Sequence, residues 1–505
     1  MNRKPFFYDV TLRDANQALK KPWNTQEKEV IFKKLLKLGV QAIEIGYPGA
    51  SQMDFEAVEY LSSLAPQDTV LSALARCNSY DIEKAALAIK SAPIPRIHTF
   101  IAMNETGLKY VLQKPIEDVT KLAVDMVKYA KSLLPENGQV QFSVEHFGDC
   151  RENFADVLSA IQQVAEAGAN VINLPNTVER FRPFEFVNMV QKVKEVLPEE
   201  VMIAVHCHND LGMASATTVE SFFAGATQLE CSLNGLGERA GNTNMYEVAV
   251  ALYNSGIEMP LKLNKIYSTA LTVSEFANVP IAEKAPIVGS EVLVHRSGIH
   301  QDGACKTKHL EKGAYIAFSP ELVGRNDEEA VGFTSQSGKT AIYEILNKTP
   351  YTISMQEAVR LMPFAKVLAE KVGELTTEQL LSLYFEEICD VKGDFEFVNF
   401  RKIDENKFNL EFSYKKEHYD LIGKGEGPLE ACLDILKKTG FELNLLHYEQ
   451  RAINEEKGVK ALAMTIIQVG ENKEKSKIVR AIDNSTAKAN VKAVFNALNL
   501  LNKEK

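Results

Sequence analysis

The chain of 505 residues is 45% hydrophobic and 25% charged, the composition of an ordinary globular protein with room for two or three domains. Its net charge of −10 leaves no basic footprint for nucleic acid, and no run approaches the ~18 apolar residues of a membrane span, so neither is expected as a partner. Seven scattered cysteines without a C-x-x-C pair, and a first strand that starts almost at once, predict reduced thiols and a cytoplasmic location.

Short apolar runs alternate with amphipathic stretches over the first half of the chain. The runs are Phe6–Leu12, Ala42–Tyr47, Val70–Ala75, Arg96–Ala102, Gln139–Glu145, Val171–Asn176, Val201–His208 and Gln228–Asn234. Between them, Gln26–Leu38 puts Val30, Ile31, Leu35 and Leu38 on one helical face, and Glu152–Ala167 ends at Gly168 as helices commonly do. Asn78 and Asn153 read as helix caps. Eight strand–helix units predict a (β/α)8 TIM barrel over residues 1–260. A doubly wound open sheet is the competing layout, but no G-x-G-x-x-G follows the first strand.

Past residue 255 the barrel pattern stops and Pro260, Pro280 and Pro286 punctuate the chain; residues 261–390 read as a mostly helical linker region. Within it, residues 295–303 (HRSGIHQDG) are expected to be a loop, and Ser335–Lys339 leads into a helix. Helices follow at Met355–Val372 and Thr377–Cys389, the latter capped by Thr376 or Thr377. Residues 391–505 read as a C-terminal α+β domain. Strands Phe395–Arg401, Lys407–Tyr414 and His418–Gly423 precede a helix at Pro428–Lys438, and the order repeats with Leu443–Gln450, Ala461–Val469, Ile478–Ile482 and Thr486–Leu500. This is an internal βββα duplication. Its helices can pack on one face of an antiparallel sheet, leaving a pseudo-twofold interface for a small ligand.

Barrel active sites lie at the C-terminal ends of the strands. Those ends carry Thr11, Arg13 and Asp14, then Glu44, Arg76, His98, Glu145, Asn176, Thr177, His206, His208 and Asn234, with Glu238, Arg239 and Asn242 in the eighth loop. His206 and His208 leave their strand on one side; Cys207 between them faces the packing side. An H-x-H pair alone is more often structural than metal-binding. Barrel closure, however, brings strand one beside strand eight, next to seven. Asp14, His206 and His208, with an amide such as Asn242, then make an open mixed N/O site suited to zinc, manganese or another divalent ion. Beside Arg13, such a site suits a 2-oxo acid bound as a chelate, with Arg13 stabilising the alkoxide formed on attack.

DVTLRD near the start, FSVE at 142–145, LPNTVE at 174–179, HCHND at 206–210, NGLGERAGN at 234–242 and SGIHQDG at 297–303 together resemble the 2-isopropylmalate synthase family, with its homocitrate and citramalate synthase relatives. The duplicated C-terminal region resembles that family's leucine-type regulatory domain. The resemblance implies a Claisen-type condensation of acetyl-CoA with a 2-oxo acid followed by thioester hydrolysis. It implies metal ligation by Asp14, His206, His208 and Asn242, with zinc as first choice and manganese or magnesium next. It gives Arg13 the oxyanion, Thr177 the oxo-acid carboxylate and Glu145 acid–base work or positioning. His300 and Tyr315 would complete the site from the partner subunit of a homodimer, and leucine is the implied effector. A base with a pKa near neutrality also suits the enolisation of a thioester methyl, which favours His300 on chemical grounds.

The chain departs from the family pattern at Ala15–Asn16, His146, Asn176 and Arg296. His98 and Ser143 resemble the pocket of the isopropylmalate synthases and point to 2-oxoisovalerate, with pyruvate and 2-oxoglutarate as alternatives. A metal-dependent carbon–carbon lyase and a non-enzymatic amino-acid sensor are the other classes to weigh. Ser335–Lys339 could grip the phosphates of CoA or simply start its helix.

Overall fold

Short, buried strands, each followed by a helix, close into a barrel in this computed structural model. It describes residues 3–310, 313–326, 330–349, 351, 353–453, 462–471 and 476–503. The strands are β1 (Phe6–Asp9), β2 (Ala42–Gly46), β3 (Val70–Arg76), β4 (Ile94–Ala102), β5 (Gln139–Glu145), β6 (Val171–Asn176), β7 (Met202–Cys207) and β8 (Gln228–Cys231). All pair in parallel and in order, and β1 closes the ring on β8 with Phe6 opposite Gln228. The chain divides into two compact units, residues 1–292 with 318–328, and residues 293–317 with 329–505.

The first long helix shows why the elements form where they do. In Thr25–Leu38, Asn24 and Glu27 make a reciprocal capping box, and Gly39 ends the helix at φ 89°, a conformation glycine adopts without strain. Ile31, Phe32, Leu35 and Leu38 are fully buried, each contributing about 1.5–3 kcal/mol on transfer from water. Val30, expected on that face, is exposed instead. Its place is taken by Phe32 and by Lys28, whose ammonium pairs with Asp54 at 2.7 Å.

Three differences from the sequence reading bear on the site. β1 stops at Asp9, because its carboxylate accepts both the Thr11 amide (2.9 Å) and hydroxyl (2.7 Å), turning the chain into a single helical turn, Thr11–Ala15. β8 ends at Cys231, and Asn234 lies beyond it in a left-handed conformation. Residues 295–303 are not a loop: a two-residue strand, β9 (Val294–His295), pairs in parallel with β10 (Ala330–Val331) and is followed by a helix, Gly298–Thr307. The glycines there serve packing. A Cβ on Gly303 would stand 2.3 Å from the Tyr315 ring. Asn78 caps its helix as expected, whereas the Asn153 amide donates to the Met103 carbonyl (2.7 Å) and makes no cap bond.

The second unit holds helices Lys339–Asn347, Met355–Val372 and Thr377–Tyr384 around Phe333, Ile342, Leu361 and Leu380. Thr376 caps the third through a capping box. The duplication is present as two separate antiparallel sheets, one per repeat, rather than one continuous sheet. They are β11 (Phe395–Asp404), β12 (Lys407–Tyr414) and β13 (Glu417–Lys424), then β14 (Leu445–Ile453), β15 (Leu462–Gly470) and β16 (Ser476–Asp483), each trio followed by a helix, Pro428–Lys438 and Thr486–Lys503. Phe412, Leu436, Ile467, Val479 and Phe495 join both repeats in one core. The second repeat is also tied to the linker helices. Arg480 on β16 forms a buried ion pair with Glu357 of the helix Met355–Val372 (2.8 Å), and the Asn496 amide donates to the carbonyls of Cys389 and Arg480.

All seven cysteines are free thiols. Among the described residues, no helix is long and apolar enough to cross a membrane.

Candidate metal centre and substrate cavity

Asp14, on the turn after β1, meets His206 at the end of β7 and His208 just beyond it, and one donor atom from each lies within 4.8 Å of the others. The Nε2 atoms of the two imidazoles are 3.2 Å apart, and Asp14 Oδ2 is 4.0 Å from His206 Nε2. Without an ion the imidazoles share a hydrogen bond; with one, the same separation suits two nitrogens bound at about 2.0–2.1 Å. His208 is placed by a single backbone bridge to Asn242. The Asn242 amide donates to Asp14 Oδ1 (2.9 Å), while its buried carbonyl oxygen has no hydrogen-bond partner. An orphaned buried acceptor beside a carboxylate and two imidazoles is the donor set a divalent cation needs.

The electrostatics favour cation binding. Burial would raise the Asp14 carboxyl, but Arg13 and the two imidazoles outweigh it and hold the group well below the usual carboxylate range. Burial, reinforced by His206, pushes His208 down to about 3, so its ring is neutral and available as a ligand near neutral pH. Arg13 joins two carboxylates, donating to Asp14 at 2.6 Å and to Glu44 at 2.5 Å. Against its own burial, Glu44 is held at about 2 by Arg13 and His98.

A cavity of 270 Å³ opens beside the centre. Arg13, Asp14, His98, Ser143, Glu145, Thr177, His206 and His208 all line it, together with Leu74, Phe100 and Pro175. His98 spends both ring nitrogens on neighbours, Nδ1 on Glu44 (2.5 Å) and Nε2 on Ser143 (2.6 Å), which makes it a fixed wall. Thr177 Oγ1 accepts the His146 amide at 2.9 Å. Burial raises the Glu145 carboxyl above its usual range, with His146 pulling weakly the other way.

His300 and Tyr315 belong to the second compact unit. Their rings lie 4.5 Å apart, and both are exposed, His300 in the first turn of its helix. Ser337 is buried and donates to the Arg296 carbonyl (3.0 Å), so the Ser335–Lys339 segment uses that hydroxyl internally. Of the departures from the family pattern, His146 adopts a left-handed conformation (φ 60°) and Arg296 pairs with Glu374 at 2.6 Å.

Sequence reasoning missed Glu230, whose carboxylate meets His206 Nδ1 at 3.1 Å, and Asn173, which donates to Ser143 at 2.8 Å. Both sit inside short strands that otherwise read as apolar. Strand alternation could have found them, because a polar residue two places from an inward-facing one must also face inward.

Comparison with known proteins agrees with this geometry. Residues 4–273 match the HMGL-like family model, residues 290–347 the alpha-isopropylmalate synthase post-catalytic domain-like model, and residues 374–502 the LeuA allosteric (dimerisation) domain model. A protein of Leptospira interrogans named 2-isopropylmalate synthase 2 is 53% identical over 74% of this chain and 88% of its own length. The 2-isopropylmalate synthase of Bacillus pumilus is 36% identical over 98% of this chain and 96% of its own, and that of Syntrophus aciditrophicus 33% over 99% and 96%. With full-length similarity of this extent and matches along barrel, linker and duplicated domain, the chain belongs to the 2-isopropylmalate synthase family.

Proposed function

We propose that the chain condenses acetyl-CoA with 2-oxoisovalerate and hydrolyses the resulting thioester, releasing 2-isopropylmalate and CoA. The observation that carries the reading is the meeting of Asp14, His206 and His208 beside Arg13 at a cavity that Leu74, Phe100 and Pro175 also line. A divalent ion, with zinc the first candidate for this N/O donor set, would when bound supply Lewis acidity toward the keto group of the oxo acid. Asp14, His206, His208 and the Asn242 carbonyl oxygen hold it. Metal analysis of the purified protein tests the choice of ion.

The chain's own groups do the rest. Thr177 orients the oxo-acid carboxylate, and Leu74, Phe100 and Pro175 receive the branched alkyl group. His300, assisted by Tyr315, takes a proton from the thioester methyl. The carbanion adds to the keto carbon, and Arg13 stabilises the negative oxygen that forms, the preorganised electrostatic role. Glu145, inclined by burial to keep its proton, supplies acid–base assistance. Water then cleaves the thioester. The barrel to about residue 260 is the catalytic part, residues 261–390 the linker and residues 391–505 the regulatory domain, with leucine as effector.

Thiol release from acetyl-CoA, measured in parallel with 2-oxoisovalerate, pyruvate and 2-oxoglutarate, is expected to be fastest with 2-oxoisovalerate and to fall when leucine is added. No release with any oxo acid would sink the synthase reading. Faster release with pyruvate or 2-oxoglutarate would move it to a citramalate or homocitrate synthase.

The exposed His300–Tyr315 pair fits a site completed in trans within a homodimer. If so, mixing His208→Ala and His300→Ala chains, each inactive alone, should regenerate up to about a quarter of the unmodified sites through subunit exchange. A mixture as inactive as its components would place His300 and the metal ligands in the same subunit's site, and an active His300→Ala chain would put His300 outside catalysis.

A further inference from the structure

Behind the metal ligands, and reaching the cavity at Glu230, the barrel interior holds a buried charged layer to which the reaction assigns no role. Glu230, on β8, is 1% exposed. Its Oε2 meets His206 Nδ1 at 3.1 Å, while Oε1 accepts the side-chain amides of Gln141 (2.7 Å) and Gln228 (3.1 Å). The oxygens of those two glutamines face the other way, toward Arg96 Nη1, at 3.1 and 2.7 Å. Arg96 is itself 1% exposed, and among the described residues no carboxylate forms an ion pair with it.

The direction of the amide bonds in this layer is forced. A guanidinium only donates, so both glutamines must present oxygen to Arg96 and NH2 to Glu230. With Glu230 accepting from His206 at one oxygen, as it accepts from both glutamines at the other, His206 Nδ1 carries the hydrogen. The remaining lone pair of His206 is then on Nε2, the nitrogen that faces His208 Nε2 at 3.2 Å and Asp14 at 4.0 Å. A buried carboxylate and a buried guanidinium would each be costly alone. The polarised amides between them connect the two charges across the barrel.

We propose that Arg96, Gln141, Gln228 and Glu230 form a positioning relay that locks His206 in the tautomer with a bare Nε2 and strengthens it as a metal ligand. The proposal rests on the metal-site reading above. Partners that orient a ligating histidine this way typically carry a 10–100-fold share of metal affinity.

The decisive variant is Glu230→Gln. It keeps the shape of the carboxylate but replaces one oxygen by NH2: with the remaining oxygen still accepting from Gln141 and Gln228, the NH2 faces His206 Nδ1 and donates to it. Nitrogen-15 NMR of the metal-free protein should show the His206 proton on Nδ1 in the unmodified chain and shifted toward Nε2 in the variant. Zinc affinity, measured by competition with a chromogenic chelator, should fall about 10–100-fold. A role confined to packing would lower the melting temperature and move neither readout. An unchanged tautomer with unchanged zinc affinity would overturn the relay. If Glu230→Gln fails to fold, Gln228→Leu takes its place: it removes one amide donor and keeps the carboxylate, and zinc binding should still weaken several-fold, whereas unchanged binding again overturns the proposal. An unmodified protein that binds no zinc defeats the metal reading instead, and the NMR result alone then decides the relay.

Discussion

His208→Ala is expected to lose the bound metal and to lower kcat on the order of 10³-fold or more, the largest effect of any single substitution in the barrel. The ring contributes one of only two imidazole donors, and its backbone bridge to Asn242 survives the change, so the strand end and the fold should persist. Because burial and His206 push the ring down to about 3, no proton has to leave it before an ion binds near neutral pH. Metal content by elemental analysis, read beside thiol release and a circular dichroism spectrum, checks all three points. Full metal stoichiometry in the variant would make the strand histidines structural.

Arg13→Gln should act twice. It removes the cation placed for the developing oxyanion, at an expected cost of roughly 10²–10³ in kcat. It also removes the group that keeps Asp14 and Glu44 ionised. Glu44 is held at about 2, below the ordinary 4.5 of a glutamate, by Arg13 and His98 against the opposing pull of its own burial. A carboxyl with a depressed folded pKa contributes stability that is complete above about pH 4.5 and is lost as the pH falls toward about 2. Without Arg13 the depression shrinks, so the contribution is smaller and disappears at a higher pH. Acid unfolding followed by circular dichroism should show a midpoint shifted upward from that of the unmodified protein. The same midpoint together with the same kcat would remove Arg13 from both roles.

The barrel was legible because its strands are short β-branched runs separated by helical periodicity, a pattern few other folds satisfy. The rim residues stood out for the same reason, as polar endings to apolar runs. What could not be read was local competition for the backbone. Nothing in the run Phe6–Leu12 announced that Asp9 would capture both polar groups of Thr11 and end the strand early. The helix Gly298–Thr307 was hidden by its glycines, which lower helix propensity, although Gly303 here makes room for Tyr315. Glu230 was missed because a single charge in the four-residue strand Gln228–Cys231 looks like an edge position until closure of the ring turns it inward.

The Arg480–Glu357 ion pair makes the two halves of the duplicated domain unequal in a way their matching element order conceals. Local opening of β14–β16 must separate two buried charges as well as break its own sheet, whereas among the described residues no such ion pair ties β11–β13 to the helix Met355–Val372. Amide hydrogens in the second half and in that helix should therefore exchange more slowly than those of β11–β13, whose opening separates no buried ion pair with that helix.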